Sequence, residues 1–260
     1  MPTATLSHCT ISYVDGGQGA PLVFVHGFPL DHTMWQHQIE AFRATHRVIA
    51  IDLPGFGAST TSAPLSIIGL ADQLEEFIDS LGLPTVVLCG LSMGGSIAQQ
   101  FAVRHPQRLT GLILCDCRAM TDPPETQKMR HDLADRVLRE GPEFVAQAMP
   151  ARLFSARSIA QQPVMVESIQ SVIRATSPQS VAGGSRALAD REDMVPRLKE
   201  ITARTLLIVG QDDVISTVDE MRNIAQKIPN AQLVEIPGAG HMAPLETPDL
   251  VNDALRAWFG

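Results

Sequence analysis

The 260-residue chain has no run of eighteen or more apolar residues, so no segment is long enough to cross a bilayer as a helix. Its opening, Met1-Pro2-Thr3-Ala4-Thr5-Leu6-Ser7-His8, lacks a basic stretch followed by an apolar one. No secretory leader is therefore expected, and the expected compartment is the cytoplasm. A basic excess is missing too. With 20 Lys and Arg against 28 Asp and Glu the formal net charge is −8, which argues against a nucleic-acid partner, because neutralising phosphates takes clustered cations. Cysteine is scarce: Cys9, Cys89, Cys115 and Cys117 show neither zinc-ligand spacing nor the two-residue gap of a redox pair. They lie on or beside expected strands, where a reduced thiol packs as a small hydrophobe. His8, His32, His37, His46 and His105 show no ligand spacing either, so no metal or other cofactor is expected. What the chain does have is 45% hydrophobic and 18% charged residues, enough for one well-buried core with an inserted subdomain.

Short apolar runs alternate with helical periodicity along the first half. A strand or hairpin arm over residues 5–14 precedes buried strands at Pro21–His26, Arg47–Asp52, Val86–Cys89 and Leu109–Leu114. Helices are expected over Thr33–Phe42 and behind Ser66, where Ile67, Leu70, Ala71, Leu74, Phe77, Ile78 and Leu81 recur every three or four residues. Strands apolar on both faces and separated by helices imply a mainly parallel sheet, covered on each side.

The pattern changes near Arg118. No buried strand is visible from there to Val195, whereas helical stretches follow one another at Pro124–Arg139, Gly141–Leu153, Gln162–Thr176 and Pro178–Asp190. The expected division is a core of residues 1–117 and 196–260 with an all-helical insertion at 118–195. Met120, Met129, Met149, Met165 and Met194 suit either plain packing or an adaptable apolar pocket. Alternation resumes with strands Thr205–Val209 and Gln232–Ile236, a helix over Thr217–Ile228 and a closing helix over Pro248–Phe259.

The stretch Val86–Ala98 carries the chemistry. A buried strand breaks at Gly90-Leu91-Ser92-Met93-Gly94 and continues as a helix. A turn that sharp leaves Ser92 at its apex, between glycines whose missing β-carbons make the bend feasible. The free amides and positive dipole end of the new helix then sit beside the hydroxyl. In an open parallel sheet, ligands bind beyond the carboxyl ends of the strands. Four expected strands end there in His26-Gly27-Phe28, Ser92, Asp213 and His241. A serine hydroxyl needs a base to take its proton, and an imidazole, with an unperturbed pKa of about 6.5, can do so. His241 is the candidate base, and Asp213 would orient its ring. The amides of Phe28 and Met93 would receive the developing oxyanion.

Over nearly its whole length the chain resembles the α/β-hydrolase fold family. The order Ser92, Asp213, His241 is that family's nucleophile–acid–base order. His26-Gly27-Phe28-Pro29 resembles its oxyanion loop, Asp52-Leu53-Pro54-Gly55-Phe56-Gly57-Ala58-Ser59 its D-x-P-G-x-G-x-S turn, and Gly210-Gln211-Asp212-Asp213 its acid loop. Gly238–Glu246 is similar to its base loop. The resemblance implies an eight-stranded, mostly parallel sheet with helices on both faces, and a helical cap made by the insertion. It also favours Asp213 over Asp212 as the acid. His26, Asp52 and Ser59 are expected to hold their loops and Glu246 to cap the last helix, while Trp35 and Phe28 suit either substrate contact or core packing.

A serine at position 92, rather than a carboxylate, points to acyl chemistry. Within the family the elbow and short insertion look most like bacterial carboxylesterases and 3-oxoadipate enol-lactonases. That implies an ester or lactone as the small-molecule partner, with a homodimer left open. A dicarboxylate lactone would call for an arginine in the pocket, and Arg118, Arg130, Arg152 and Arg186 are the candidates. Two alternatives stay open: a cofactor-free perhydrolase or haloperoxidase-type activity of the same triad, and a ligand-binding receptor built on a hydrolase scaffold.

Overall fold

The structure, a computed structural model, describes residues 1–260. Six strands run parallel through its centre: β3 (Ala20–Val25), β4 (His46–Ile51), β6 (Val86–Leu91), β7 (Leu109–Cys115), β8 (Thr205–Gly210) and β9 (Ala231–Ile236). β2 (Cys9–Gly16) pairs antiparallel with β4, and β1 (Thr3–Thr5) and β5 (Thr60–Thr61) pair antiparallel with β2. The sheet therefore has nine strands, in the order β1-β2-β4-β3-β6-β7-β8-β9 with β5 beside β2. The family resemblance implies eight; seven are readable from the sequence itself, and the two unread ones, β1 and β5, are three and two residues long, below any readable periodicity.

Alternation along each strand sorts its side chains onto two covered faces. Val23, Val25, Leu88, Leu112, Leu114, Leu207 and Val209 face one core, packed by α2 (Ile67–Ser80), α3 (Met93–Arg104) and α10 (Val218–Lys227). Leu22, Phe24, Cys89, Ile113, Leu206 and Ile208 face the other, packed by α1 (Gln36–Phe42) and α12 (Pro248–Phe259). Each such apolar side chain contributes roughly 1.5–3 kcal/mol by leaving water. Local signals fix the helix starts: Ser66 accepts the Gly69 amide at α2, and Thr217 with Glu220 forms a capping box at α10.

Six helices lie between β7 and β8: α4 (Pro124–Glu140), α5 (Glu143–Ala148), α6 (Pro150–Leu153), α7 (Ala156–Gln161), α8 (Pro163–Ala175) and α9 (Pro178–Ala189). The single helix expected over Gly141–Leu153 is two, because Pro150 lacks the amide that would continue the first and instead starts the second. The six-residue α7, capped by Ser155, escapes notice for its brevity. Val137, Val145, Ile169 and Ile173 from these helices join the second core, so the insertion is packed against the sheet layer rather than tethered to it.

The connection after β3 crosses to one side of the sheet and that after β6 to the other, which opens a crevice between the carboxyl ends of β3 and β6. Phe28 follows the first strand and Ser92 the second.

Candidate active site

Ser92 holds φ +56° and ψ −111° between β6 and α3. For a residue with a β-carbon this conformation costs on the order of 1–3 kcal/mol, offset here by packing that permits no alternative. A β-carbon at Gly90 would overlap the Gly94 carbonyl, and one at Gly94 would overlap the Val25 carbonyl. Both glycines are therefore required by close backbone approach. α3 is buried along nearly its whole length, so the bend cannot relax outward.

His241 and Asp213 come from the loops after β9 and β8. His241 Nδ1 lies 2.8 Å from Asp213 Oδ2, and both side chains are almost wholly inaccessible. Asp213 Oδ1 accepts the amides of Ile215 at 2.7 Å and Ser216 at 3.1 Å. The carboxylate can only accept, so Nδ1 carries the proton and Nε2 keeps its lone pair. Asp212 is exposed and takes no part. Ser92 and His241 line one cavity of about 130 Å³, together with Phe28, Met93 and Ser96. A β-carbon on Gly27 would come within 3.4 Å of Ser92 Cβ, so the loop after β3 lies directly against the elbow. The amides of Phe28 and Met93 donate to no protein acceptor.

Surrounding residues hold this geometry. Burial keeps the pKa of His26 below its ordinary value. Its Nε2 accepts the Leu53 amide at 2.9 Å and its Nδ1 donates to the Gly27 carbonyl at 2.8 Å, which fixes the loop carrying Phe28. Asp52 accepts the amides of His32 and Ala58, and Ser59 Oγ donates to the Asp52 carbonyl. Asp116, buried at the end of β7 with φ +43°, accepts the Gly210 amide at 2.8 Å, which steadies the start of the acid loop. Burial and the neighbouring Asp213 charge push its carboxyl well above the usual carboxylate range. Trp35 lies wholly in the core, whereas Phe28 faces the cavity.

Glu246 departs from expectation. It does not cap α12, whose start has no side-chain cap. Instead its buried carboxylate accepts the amides of Gly240 at 2.8 Å and Met242 at 3.2 Å, on either side of His241, and that of Ser155 in the insertion at 2.8 Å. Glu246→Ala strips three buried amides of a charged acceptor at once. It is expected to destabilise the protein by about 3 kcal/mol or more, read as a lowered midpoint in guanidinium unfolding. A change below about 1 kcal/mol would contradict this role.

Of the four candidate arginines, Arg118, Arg130 and Arg152 line the cavity, while Arg186 lies outside it, paired with Asp135 at 2.6 Å. Arg191, not singled out from sequence, lines it as well. Among the five methionines only Met149 does so. Asp31, His32 and Asp52 bring one ligand atom each within 4.8 Å of the others, a grouping that sequence spacing does not show. They are bonded among their own neighbours, His32 Nδ1 to Asp52 Oδ1 at 2.7 Å and the Thr33 amide to Asp31 Oδ1 at 2.9 Å. A larger open groove of about 630 Å³ runs past Thr60, Leu65 and Thr176, but it holds no histidine beside a hydroxyl. The four cysteines are free and buried, and no helix is long and apolar enough to cross a membrane.

Comparison with known proteins agrees with this architecture. Residues 22–254 match the alpha/beta hydrolase family. The chain is similar to a thermophilic esterase from Thermogutta terrifontis, solved with malate bound, at TM-score 0.96 and 40% identity over 100% of this chain and 98% of that one. It is 30% identical to 3-oxoadipate enol-lactonase 2 of Acinetobacter baylyi over 98% of this chain and 95% of the relative. The enol-lactonase of Burkholderia xenovorans LB400 superposes at TM-score 0.93 with 27% identity, over 99% of each chain.

Proposed function

The chain belongs to the alpha/beta hydrolase family, and from that premise we propose that it is a serine hydrolase of carboxylic esters, lactones included, working through an acyl-enzyme. The observation that carries this is the 2.8 Å Asp213–His241 bond, which leaves Nε2 free in the cavity that also holds Ser92. Ser92 Oγ attacks the ester carbonyl as His241 Nε2 takes its proton. Asp213 stabilises the imidazolium, and the Phe28 and Met93 amides receive the negative oxygen. The alcohol leaves with the proton from His241. Water, deprotonated by the same imidazole, then attacks the acyl-serine and releases the acid. The helices of 118–195 act as a cap, contributing Leu133, Met149 and Leu153 to the wall that keeps bulk water from the acyl group. The similarity to an esterase and to enol-lactonases supports the same chemistry.

The test is labelling with a fluorophosphonate, located by peptide mass, alongside turnover of short p-nitrophenyl esters. One label on Ser92 with ester turnover is the expected result. Labelling without turnover would favour a receptor, and peracid formation from acetate and hydrogen peroxide at a comparable rate would favour a perhydrolase. Absence of both label and turnover would overturn the proposal.

A further inference from the structure

Ser96 stands one helical turn after Ser92 on α3 and lines the same cavity, with a hydroxyl that bonds no other protein group. Behind it lies a smaller chamber of about 10 Å³, the room that one water takes. Ser96, Arg118 and Arg191 line both spaces. Every side-chain nitrogen of the two arginines is already bonded. Asp122 and Glu220 take up Arg118, while Asp122 and the carbonyls of Met120 and Leu188 take up Arg191. The Ser96 hydroxyl is therefore the free polar group that the two spaces share.

Gln100, a further turn along the same face of α3, lines the chamber and is 1% exposed. Its Nε2 donates to Glu192 Oε2 at 3.0 Å, which fixes the amide's orientation, because a carboxylate can only accept. Gln100 Oε1 is turned the other way, buried, and meets no protein donor. A buried oxygen in that position calls for a donor, and a polar chamber beside it is where a water supplies one. Gln100 Oε1 and the Glu192 carboxylate, both on the chamber wall, accept and cannot donate. A water between them gives its hydrogens to these oxygens and keeps its lone pairs for the Ser96 hydroxyl. Ser96, donating to that water, presents its own lone pair to the Ser92 cavity.

We propose that Gln100 and a water in this chamber hold the Ser96 hydroxyl as an acceptor that orients the water attacking the acyl-enzyme. This rests on the ester hydrolysis proposed above. The attacking water has two O–H bonds. One breaks as His241 Nε2 takes the proton and the oxygen joins the acyl carbon, while the other donates to Ser96 Oγ throughout. Collapse of the tetrahedral species breaks the acyl bond to Ser92 Oγ, which recovers the proton from Nε2. An alcohol has a single O–H, which goes to His241, so it leaves Ser96 nothing to hold. The arrangement thereby favours hydrolysis over transfer of the acyl group to an alcohol. Ser96 touches the attacking water, and Gln100 is a positioning residue acting through the chamber.

The test turns over p-nitrophenyl acetate in a fixed mixture of water and methanol and quantifies acetic acid and methyl acetate. Both products come from one acyl-enzyme, so their ratio is insensitive to the acylation rate and to any loss of folded protein. Ser96→Ala is expected to raise the ratio of methyl ester to acid about three- to tenfold, the scale of one hydrogen bond. Gln100→Met keeps the side chain's length without its acceptor and should raise the ratio in the same direction. Alanine suits a helix interior better than serine does, so Ser96→Ala decides the matter even if Gln100→Met fails to fold. An unchanged ratio in Ser96→Ala, or in folded Gln100→Met, would overturn the proposal and leave the ester hydrolase standing. No turnover of the acetate by the unaltered protein would remove both.

Discussion

Ser92→Ala is expected to fold normally and to lower kcat on any ester about 10⁵- to 10⁶-fold. The change deletes the oxygen that forms the acyl bond in the proposed mechanism. What remains is water attacking a carbonyl held against the Phe28 and Met93 amides, a contribution of roughly 10³ to 10⁴ over solution. Stability should move by less than about 1 kcal/mol, since the bonds holding this position are from backbone: the Ser92 amide to the Cys115 carbonyl at 3.0 Å and the Ser96 amide to the Ser92 carbonyl at 3.0 Å. Ser92→Gly separates strain from chemistry. It should be as inactive as the alanine variant yet no less stable, because φ +56° suits glycine and the release of strain works against glycine's greater unfolded-state entropy. Paired denaturant curves and single-turnover assays check both points. A kcat within tenfold of the unaltered protein in either variant would remove Ser92 from the reaction.

The legible and illegible parts of this molecule divide by the range of the interaction. A buried strand, a five-residue glycine–serine turn and the start of a helix are contiguous in sequence, so residues 86–98 announce the elbow without help from the rest of the chain. Asp213 and His241 were readable for a related reason. Each follows the end of a parallel strand, and parallel order gathers those ends on one edge of the sheet. The choice of Asp213 over Asp212 came from the family resemblance, and the geometry that bonds it to His241 is a tertiary fact.

Glu246 shows the limit. From sequence it is a carboxylate two residues before the proline that opens α12, where a capping role is the local default. Its partners at Gly240 and Met242 are near in sequence, but the Ser155 amide lies 91 residues away and carries no sequence mark. Asp122 is similar. Its four-residue spacing to Arg118 is visible, whereas Arg191 arrives from 69 residues on, after six intervening helices have folded back. Charge pairing through an insertion depends on how its helices pack, which periodicity leaves open. The same holds for Asp31, His32 and Asp52, joined by the return of β4 beside β3.

Asp213→Asn is the substitution by which the hydrogen-bond pattern itself makes a prediction, an expected loss of about 10⁴ in kcat with little change in KM. Asparagine keeps one acceptor oxygen and gains an amide that only donates. The amides of Ile215 and Ser216 both point at Oδ1, so the new side chain keeps its oxygen there. Its NH₂ is then left 2.8 Å from His241 Nδ1, in the place of Oδ2. Nδ1 must now accept, the imidazole proton moves to Nε2, and the nitrogen facing the cavity can no longer take a proton from Ser92. The shape of the site survives while the direction of proton flow is reversed. Two measurements separate this from simple disruption. The His241 ring nitrogens should exchange tautomer in ¹⁵N NMR, with the proton found on Nε2. Adding Ser92→Ala to Asp213→Asn should cost no more than Ser92→Ala alone, because the two act in one step. A proton still on Nδ1, or fully additive losses, would mean that Asp213 orients nothing that the reaction uses.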